Sequence, residues 1–134
     1  MNVYALRLSP NQDLRKELEN ICSAENWSSA WIVTCVGSLT QVHLRMAGAT
    51  ERTLLKGPFE ITSLVGTLSQ DGVHIHTTIA DSTGRTIGGH LCEESKIFTT
   101  AEIVIGYDSN MIFERKLDPN TGYDELHVQR QKER

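Results

Sequence analysis

Three histidines lie close together in the chain and are the residues best suited to chemistry. His74 and His76 are separated by one residue, and His90 follows Gly88 and Gly89 directly. Neutral imidazole is a common ligand of Zn²⁺, and three such ligands leave a fourth coordination position open. An isolated His-x-His pair is usually two surface or hydrogen-bonding histidines, so the hypothesis of a metal site depends on where His90 lies.

The segment between these histidines reads as two strands joined by a turn. Alternate side chains of a strand share a face, so His74 and His76 project together, away from the apolar residues between them. A three-residue loop, Ser82-Thr83-Gly84, sets His76 opposite His90 and gives every cross-strand pair a matching character. A two-residue loop would set His90 opposite an apolar residue and mix both faces. We therefore predict the three-residue loop.

In this register the three imidazoles can bind one transition-metal ion. Directly opposed Cβ atoms are ~5 Å apart, and positions i and i+2 of one strand are ~7 Å apart. Zn²⁺ suits such a site best, although Ni²⁺ or Cu²⁺ would also be accepted. Gly88 and Gly89 remove side-chain bulk beside His90, which makes room for a ligand, another backbone or a bulge. His43 and His127 lie outside the pattern.

Length and composition indicate one small acidic domain. The chain has 134 residues and a formal net charge of −4, which opposes a large basic surface. It lacks an apolar stretch of ~20 residues, and its start does not resemble a signal peptide. Three cysteines without CxxC spacing are typical of reduced thiols. We expect one domain over residues 1–134, partly extended as a tail from about residue 118, in the cytoplasm (or in the nucleus of a eukaryote).

The hydrophobic pattern predicts one helix followed by many strands. The helix should open at Pro10-Asn11 with Asn11 as N-cap, end near Asn26 and turn Arg15 and its charged neighbours to water. Its apolar stripe consists of Leu14, Leu18, Ile21 and Cys22. Strand patterns cover residues 2–8, 30–36, 40–46, 51–55, 59–68, 73–80, 85–91, 97–105 and 111–116. This order favours an α+β fold, in which a mostly antiparallel curved sheet of about seven or eight strands curls toward a barrel and carries the one main helix.

A series of short motifs resembles the plants-and-prokaryotes-conserved (PPC) domain, a domain of unknown function best known beside AT-hooks in plant nuclear proteins. The resemblance runs from about residue 3 to residue 126. In order, the motifs are Gly37-Ser38-Leu39, Leu44-Arg45, Gly57-Pro58-Phe59-Glu60-Ile61, Gly66-Thr67-Leu68, the His-x-His, Gly-Gly-His-Leu and Thr100-Ala101-Glu102-Ile103-Val104-Ile105. It implies an α+β fold assembled as a homotrimer. In free-standing members it also implies a metal held by the motif histidines, here His74, His76 and His90.

Three charged residues lie inside these motifs. In the simplest interpretation Glu60 and Glu102 are exposed strand residues and Arg45 is a surface cation. In the functional interpretation Glu102 accepts an imidazole N–H or acts as a base for metal-bound water, which would make it catalytic. Arg45 would then pair a substrate anion, so Arg45, Gly88 and Gly89 are candidate ligand-binding residues.

The apolar run over residues 30–36 predicts self-association. A strand that is apolar on both sides should be covered on both faces, and one helix cannot cover both faces of a curved sheet. The apolar surface left over should form an interface, and the family resemblance selects three subunits.

Two functions from different classes are compatible with these residues. The first is a trimeric metal-binding module that binds a small ligand or a partner, with a role in regulation. The second is a metal-dependent enzyme that uses metal-bound water on a small substrate. We favour the first, because no acid/base pair is spaced around the histidines in the sequence. DNA binding by family analogy is a third alternative.

Duplex DNA should bind weakly to the protein alone. The plant relatives bind DNA through AT-hooks outside this domain, and the sequence contains no Arg-Gly-Arg-Pro. Electrostatic affinity grows with the number of phosphates neutralised, and the net charge of −4 offers little for that purpose. Fluorescence anisotropy near physiological salt should therefore detect weak binding at most. Tight binding that persists at raised salt would contradict this expectation.

Overall fold

The computed structural model describes residues 2–131. In this range the elements are β1 (Asn2–Leu8), α1 (Leu14–Ala24), β2 (Ala30–Arg45), β3 (Arg52–Ser69), β4 (Gly72–Ala80), β5 (Thr86–Leu91), β6 (Lys96–Tyr107), β7 (Met111–Leu117) and β8 (Asp124–Arg130). One helix on a mostly antiparallel sheet confirms the predicted α+β class. No helix in residues 2–131 is both long enough and apolar enough to span a membrane.

Six strands form the main sheet, and part of that sheet closes on itself. The strand order is β1-β6-β2-β3-β4-β5, and β5 also pairs with β2 through Leu44 with Leu91 and Arg45 with His90. Strands β2 to β5 therefore form a closed ring, which confirms the predicted curl toward a barrel. Strands β7 and β8 form a separate two-stranded sheet.

The two central strands are longer than predicted. The segments predicted as 30–36 and 40–46 are one strand, β2, which continues through Gly37 and Ser38. A Cβ at Gly37 would collide with backbone atoms of Thr100 and Ala101 on β6. The glycine therefore serves the close approach of two strands, and the prediction that it ends a strand was wrong.

Strand β3 likewise joins the segments predicted as 51–55 and 59–68, and it passes through Gly57-Pro58. A Cβ at Gly57 would lie 2.8 Å from the Leu39 carbonyl oxygen. The register between β2 and β3 shifts at this point, between Leu39 and Gln41. The two strands stay paired on both sides of this shift, so β3 continues and the chain does not turn.

The helix begins later than predicted, with Asp13 as its N-cap. Asp13 Oδ1 accepts a hydrogen bond from the Lys16 N–H at 3.1 Å, and its Oδ2 accepts one from the Glu94 N–H at 2.7 Å. Asn11, the predicted cap, has a φ of 71° and lies in the turn before the helix. The helix buries Leu14, Leu18 and Cys22 against the sheet.

The hairpin of β4 and β5 has the predicted register. His76 lies opposite His90, and Ile79 lies opposite Ile87. Gly84 has a φ of 83°, the left-handed conformation that the three-residue loop requires. One face of β4 is buried in the core, as expected, through Val73, Ile75, Thr77 and Ile79.

The segment interpreted as a tail contains a strand. Strand β8 pairs with β7 over its whole length, from Leu117 with Asp124 to Met111 with Arg130. The hairpin of β7 and β8 is held to the main sheet by Asp71, whose Oδ2 accepts the Arg115 N–H at 2.7 Å. The C-terminal segment therefore forms a wall beside β4.

Gly89 should be required for closing the ring. A Cβ at Gly89 would lie 2.8 Å from the Arg45 carbonyl oxygen, which cannot move without displacing β2. Gly89→Ala should therefore lower the free energy of unfolding by about 1–3 kcal/mol, measured by urea denaturation at fixed protein concentration. Thr86→Ala, at an exposed position of the same strand, is the control and should cost less than about 1 kcal/mol. Equal stability of the two variants would show that β5 tolerates a side chain at residue 89.

Candidate metal centre

The fold brings His74, His76 and His90 together on one face of the β4–β5 hairpin. Their ring centroids are 4.9 Å apart for His74 and His76, 5.4 Å for His74 and His90, and 5.8 Å for His76 and His90. One nitrogen from each ring lies within 4.8 Å of one nitrogen from each of the others. The three imidazoles are thus positioned as the alternation and the hairpin register predicted.

This spacing is close to that of a three-histidine metal site. A tetrahedral zinc with Zn–N bonds of ~2.0–2.1 Å would separate its ligand nitrogens by about 3.3 Å. The nitrogens of the cluster would have to approach by at most about 1.5 Å, which small rotations of the imidazole rings can supply.

One ring nitrogen of His90 has no partner in the part of the chain that the structure describes. The Nδ1 atom of His90 is buried and makes no hydrogen bond with any group in residues 2–131. Its Nε2 lies 3.5 Å from Arg15 Nη1, which also donates a hydrogen bond to the Leu91 carbonyl oxygen at 2.8 Å. A buried ring nitrogen without a partner is costly, and a metal ion beside the other two imidazoles would satisfy it. The residues therefore fit a metal.

The surroundings favour the neutral form of two of the imidazoles. Burial, followed by the positive charges of Arg15 and Arg45, lowers the pKa of His90 to about 4. Burial, followed by His76 and Arg115, also lowers the pKa of His74, while Glu125 opposes this shift. A metal binds the neutral imidazole, so both residues are ready to act as ligands near neutral pH.

A cavity of about 430 Å³ adjoins the histidines. It is bounded by strands of the closed ring on one side and by the β7–β8 hairpin on the other. Its lining includes two histidines, two arginines and two acidic residues: His74, His90, Arg45, Arg115, Asp124 and Glu125. His76 faces a neighbouring depression that it shares with His74. A ligand in the larger cavity would lie near basic residues, acidic residues and two of the three histidines.

Arg45 lies next to the histidines, as the functional interpretation of this residue requires. It pairs with His90 across β2 and β5, and it is half-buried at the edge of the cavity. Gly88 and Gly89 are beside His90, but their role is to let neighbouring strands pack closely. A Cβ at Gly88 would lie 2.8 Å from the Thr77 carbonyl oxygen, so both glycines permit close backbone approach, and neither is among the residues that line the cavity.

Glu102 and Glu60 are placed elsewhere. Glu102 is exposed on β6, opposite Arg7 of β1 and Val36 of β2. Val36 is nine residues from Arg45 along β2, which corresponds to ~30 Å of extended chain. Glu60 is exposed on β3 opposite Ala80, at the far end of the hairpin from His74. The structure therefore does not bring either carboxylate to the three histidines.

Several residues of the site escaped the sequence analysis. Arg15 was expected to face water, but its side chain is 20% exposed and reaches the carbonyl oxygens of Leu91 and Val73. Its position beside the apolar stripe of the helix carries no signal for this role. Arg115, Asp124 and Glu125 reach the cavity only because β7 and β8 pair and pack against β3 and β4. The short alternating pattern of residues 124–130 was the available signal for that hairpin.

A comparison with protein families identifies the chain. The model of the Plants and Prokaryotes Conserved (PCC) domain matches residues 1–107, which confirms the resemblance found in the sequence. The curated relatives include the bifunctional protein GlmU of two Synechococcus strains, JA-3-3Ab and JA-2-3B'a(2-13). Each is 46% identical to this chain over 97% and 96% of its length, respectively. The chain spans 21% and 20% of those two proteins.

Solved structures share the whole fold. A hypothetical protein of Salmonella enterica is 40% identical, with a TM-score of 0.95 over 98% of this chain and 95% of that one. A proposed DNA-binding protein of Bacteroides thetaiotaomicron is 22% identical, with a TM-score of 0.85 over 94% and 92%. A metal-containing protein of Archaeoglobus fulgidus is 24% identical, with a TM-score of 0.80 over 95% and 94%. The last two similarities establish the fold alone.

Proposed function

The chain belongs to the Plants and Prokaryotes Conserved (PCC) domain family, and we propose that it is a metal-binding module that acts by binding a small ligand. His74, His76 and His90 would hold a transition-metal ion, most readily zinc. The ligand would occupy the adjoining cavity. In the two Synechococcus proteins the same domain makes up about a fifth of a much longer chain, which agrees with a modular role.

The observation that carries this proposal is the histidine cluster with its unpartnered nitrogen. One nitrogen from each of the three rings lies within 4.8 Å of the others, a spacing that could hold one metal ion. His90 Nδ1 makes no hydrogen bond, because no protein group in residues 2–131 reaches it. The same fold occurs in a metal-containing protein of Archaeoglobus fulgidus, so the fold itself is compatible with a metal.

The remaining residues would orient the ligands and receive the small molecule. Arg15 holds the end of β5 through the Leu91 carbonyl oxygen, next to the His90 ring, and its own position is fixed by Glu19 at 2.9 Å. A bound metal would supply an electrophilic coordination site at the wall of the cavity. The arginines of the cavity would bind negative charge on the molecule.

The cavity also favours a second candidate, a metal-dependent enzyme. Asp124 and Glu125 line the same cavity as His74 and His90, and a carboxylate in such a place can accept a proton from a bound molecule. One of them would take the role that the sequence analysis gave to Glu102. The two candidates differ in whether the small molecule leaves the cavity chemically unchanged.

Metal content tests the proposal directly. Untagged protein loaded with Zn²⁺ and then dialysed should retain about one ion per chain, measured by elemental analysis. His76→Ala and His90→Ala should each lose it, because two imidazoles hold zinc far more weakly than three. Both variants should stay folded by circular dichroism, since the opposite face of β4 packs in the core.

His127→Ala is the matched control. His127 is an exposed histidine on β8, opposite Glu114, and its loss should leave the metal content unchanged. Wild-type protein that retains no metal, or His76 and His90 variants that retain it fully, would refute the metal site.

We also propose that the chain assembles as a homotrimer. Apolar side chains on adjacent strands of the main sheet are exposed, including Val33 (48%) and Val36 (60%) on β2 and Val65 (57%) on β3. Phe98 of β6 is 43% exposed and borders the same depression as Val36. Contiguous apolar surface of this kind usually marks an interface, and closed symmetry is the common way to bury it.

Light scattering tests the assembly. The mass at micromolar concentration should be near three times the chain mass of 15.0 kDa. Val36→Lys should lower this mass, because a charge buried in an apolar interface is costly. Leu117→Lys, at an apolar side chain that is 67% exposed on β7, is the control and should leave it unchanged. A monomer across the concentration range would refute the trimer.

A further inference from the structure

Arg45 is a cation without a partner among the described residues. Its side chain is half-buried and borders the cavity, yet it makes neither a hydrogen bond nor an ion pair with any other group in residues 2–131. The two other arginines near the histidines are engaged. Arg15 binds Glu19 and two carbonyl oxygens, and Arg115 donates a hydrogen bond to Thr67 Oγ1 at 2.9 Å. A partly desolvated guanidinium group usually has an anionic partner, so Arg45 is free to receive one from the cavity.

A second cation is held beside Arg45. In the register of β2 and β3, Arg45 lies directly opposite Arg52, so the two side chains emerge on the same face of the sheet. Like charges at directly opposed positions destabilise a sheet. Arg52 is exposed and also lacks an ion pair among the described residues. A negative group bound to Arg45 would relieve this repulsion.

The opposite wall of the cavity carries negative charge. Asp124 and Glu125 of β8 line it together with Arg45 and Arg115. Neighbouring residues of a strand project to opposite faces, and Glu125 is the one whose charge acts on the pKa of His74, so the Glu125 carboxylate faces the cavity. The cavity therefore has positive charge on one side and a carboxylate on the other. It favours a molecule with one anionic group at the arginine side and a hydrogen-bond donor, such as a hydroxyl or amino group, at the acidic side.

We infer that the cavity binds a small monocarboxylate that carries a hydroxyl or amino group, with its carboxylate on Arg45. This inference rests on the proposed function and names the ligand class of the same site. The guanidinium fork of Arg45 matches the two oxygens of a carboxylate, which a lysine ammonium does not. Inorganic phosphate shares this oxyanion chemistry, so it is titrated as the competing ligand.

The probes are lactate, propionate and inorganic phosphate. Each is titrated into untagged protein loaded with Co²⁺, and binding is followed by calorimetry and by the visible absorption of the cobalt. Lactate should bind more tightly than propionate, which lacks the hydroxyl, and more tightly than phosphate. Arg45→Gln should weaken lactate about 10- to 100-fold, the loss expected for charge-assisted hydrogen bonds. Arg45→Lys should show a smaller loss.

Arg85→Gln is the control for net charge. Arg85 is exposed at the turn between β4 and β5, ~17 Å of extended strand from His90, and its substitution should leave lactate binding unchanged. Tighter binding of phosphate than of lactate would overturn the choice of a carboxylate. Equal lactate affinity in wild type and Arg45→Gln, or no binding of any probe to metal-loaded protein, would overturn the inference as a whole.

The cobalt content of every sample is measured first. If the wild-type protein takes up no cobalt, the proposed metal site is refuted. If the wild type and Arg45→Gln both hold cobalt but neither binds lactate, only the inference about the ligand is refuted. The two failures are thus distinguishable.

Discussion

Strand β5 is held between two partners, and this double pairing determines the site. Its hydrogen bonds to β4 set His90 opposite His76, and its short contact with β2 sets the same residue opposite Arg45. The contact with β2 requires a backbone without a side chain at Gly89. Without this close approach, the ring of β2 to β5 would remain open, and Arg45 would not lie beside His90.

The site concentrates positive charge around groups that stay neutral. Arg15 and Arg45 lower the pKa of His90, and Arg115 contributes to lowering that of His74. A divalent cation placed among these arginines would meet repulsion, which the acidic side chains of β8 and a bound anion can offset. The proposed metal and the proposed carboxylate therefore depend on each other electrostatically: each makes the other less costly to bind in the same cavity.

Local patterns in the sequence were sufficient for the core of the site. The alternation of residues 73–80 and a glycine in the left-handed position of the turn determine which side chains of the hairpin face each other, and both can be read without knowing the rest of the fold. Contacts between distant segments could not be read in this way. Gly37 was interpreted as a break because a glycine in a turn and a glycine at a close strand contact look alike in sequence. Arg15 was assigned to water because its partners are carbonyl oxygens, and a backbone carbonyl has no sequence signature.

The hairpin of β7 and β8 divides the chain by role. The family match ends at residue 107, and the histidines lie before this point, whereas Asp124 and Glu125 lie after it. The hairpin is a sheet of its own, and hydrogen bonds such as those from Arg115 to Asp71 and Thr67 join it to the rest. The solved structures described above cover 94–98% of this chain, so most of the hairpin lies within the shared fold. The histidines and the acidic residues of the cavity therefore belong to different sheets, so the width of the cavity depends on how firmly the hairpin is held against the main sheet.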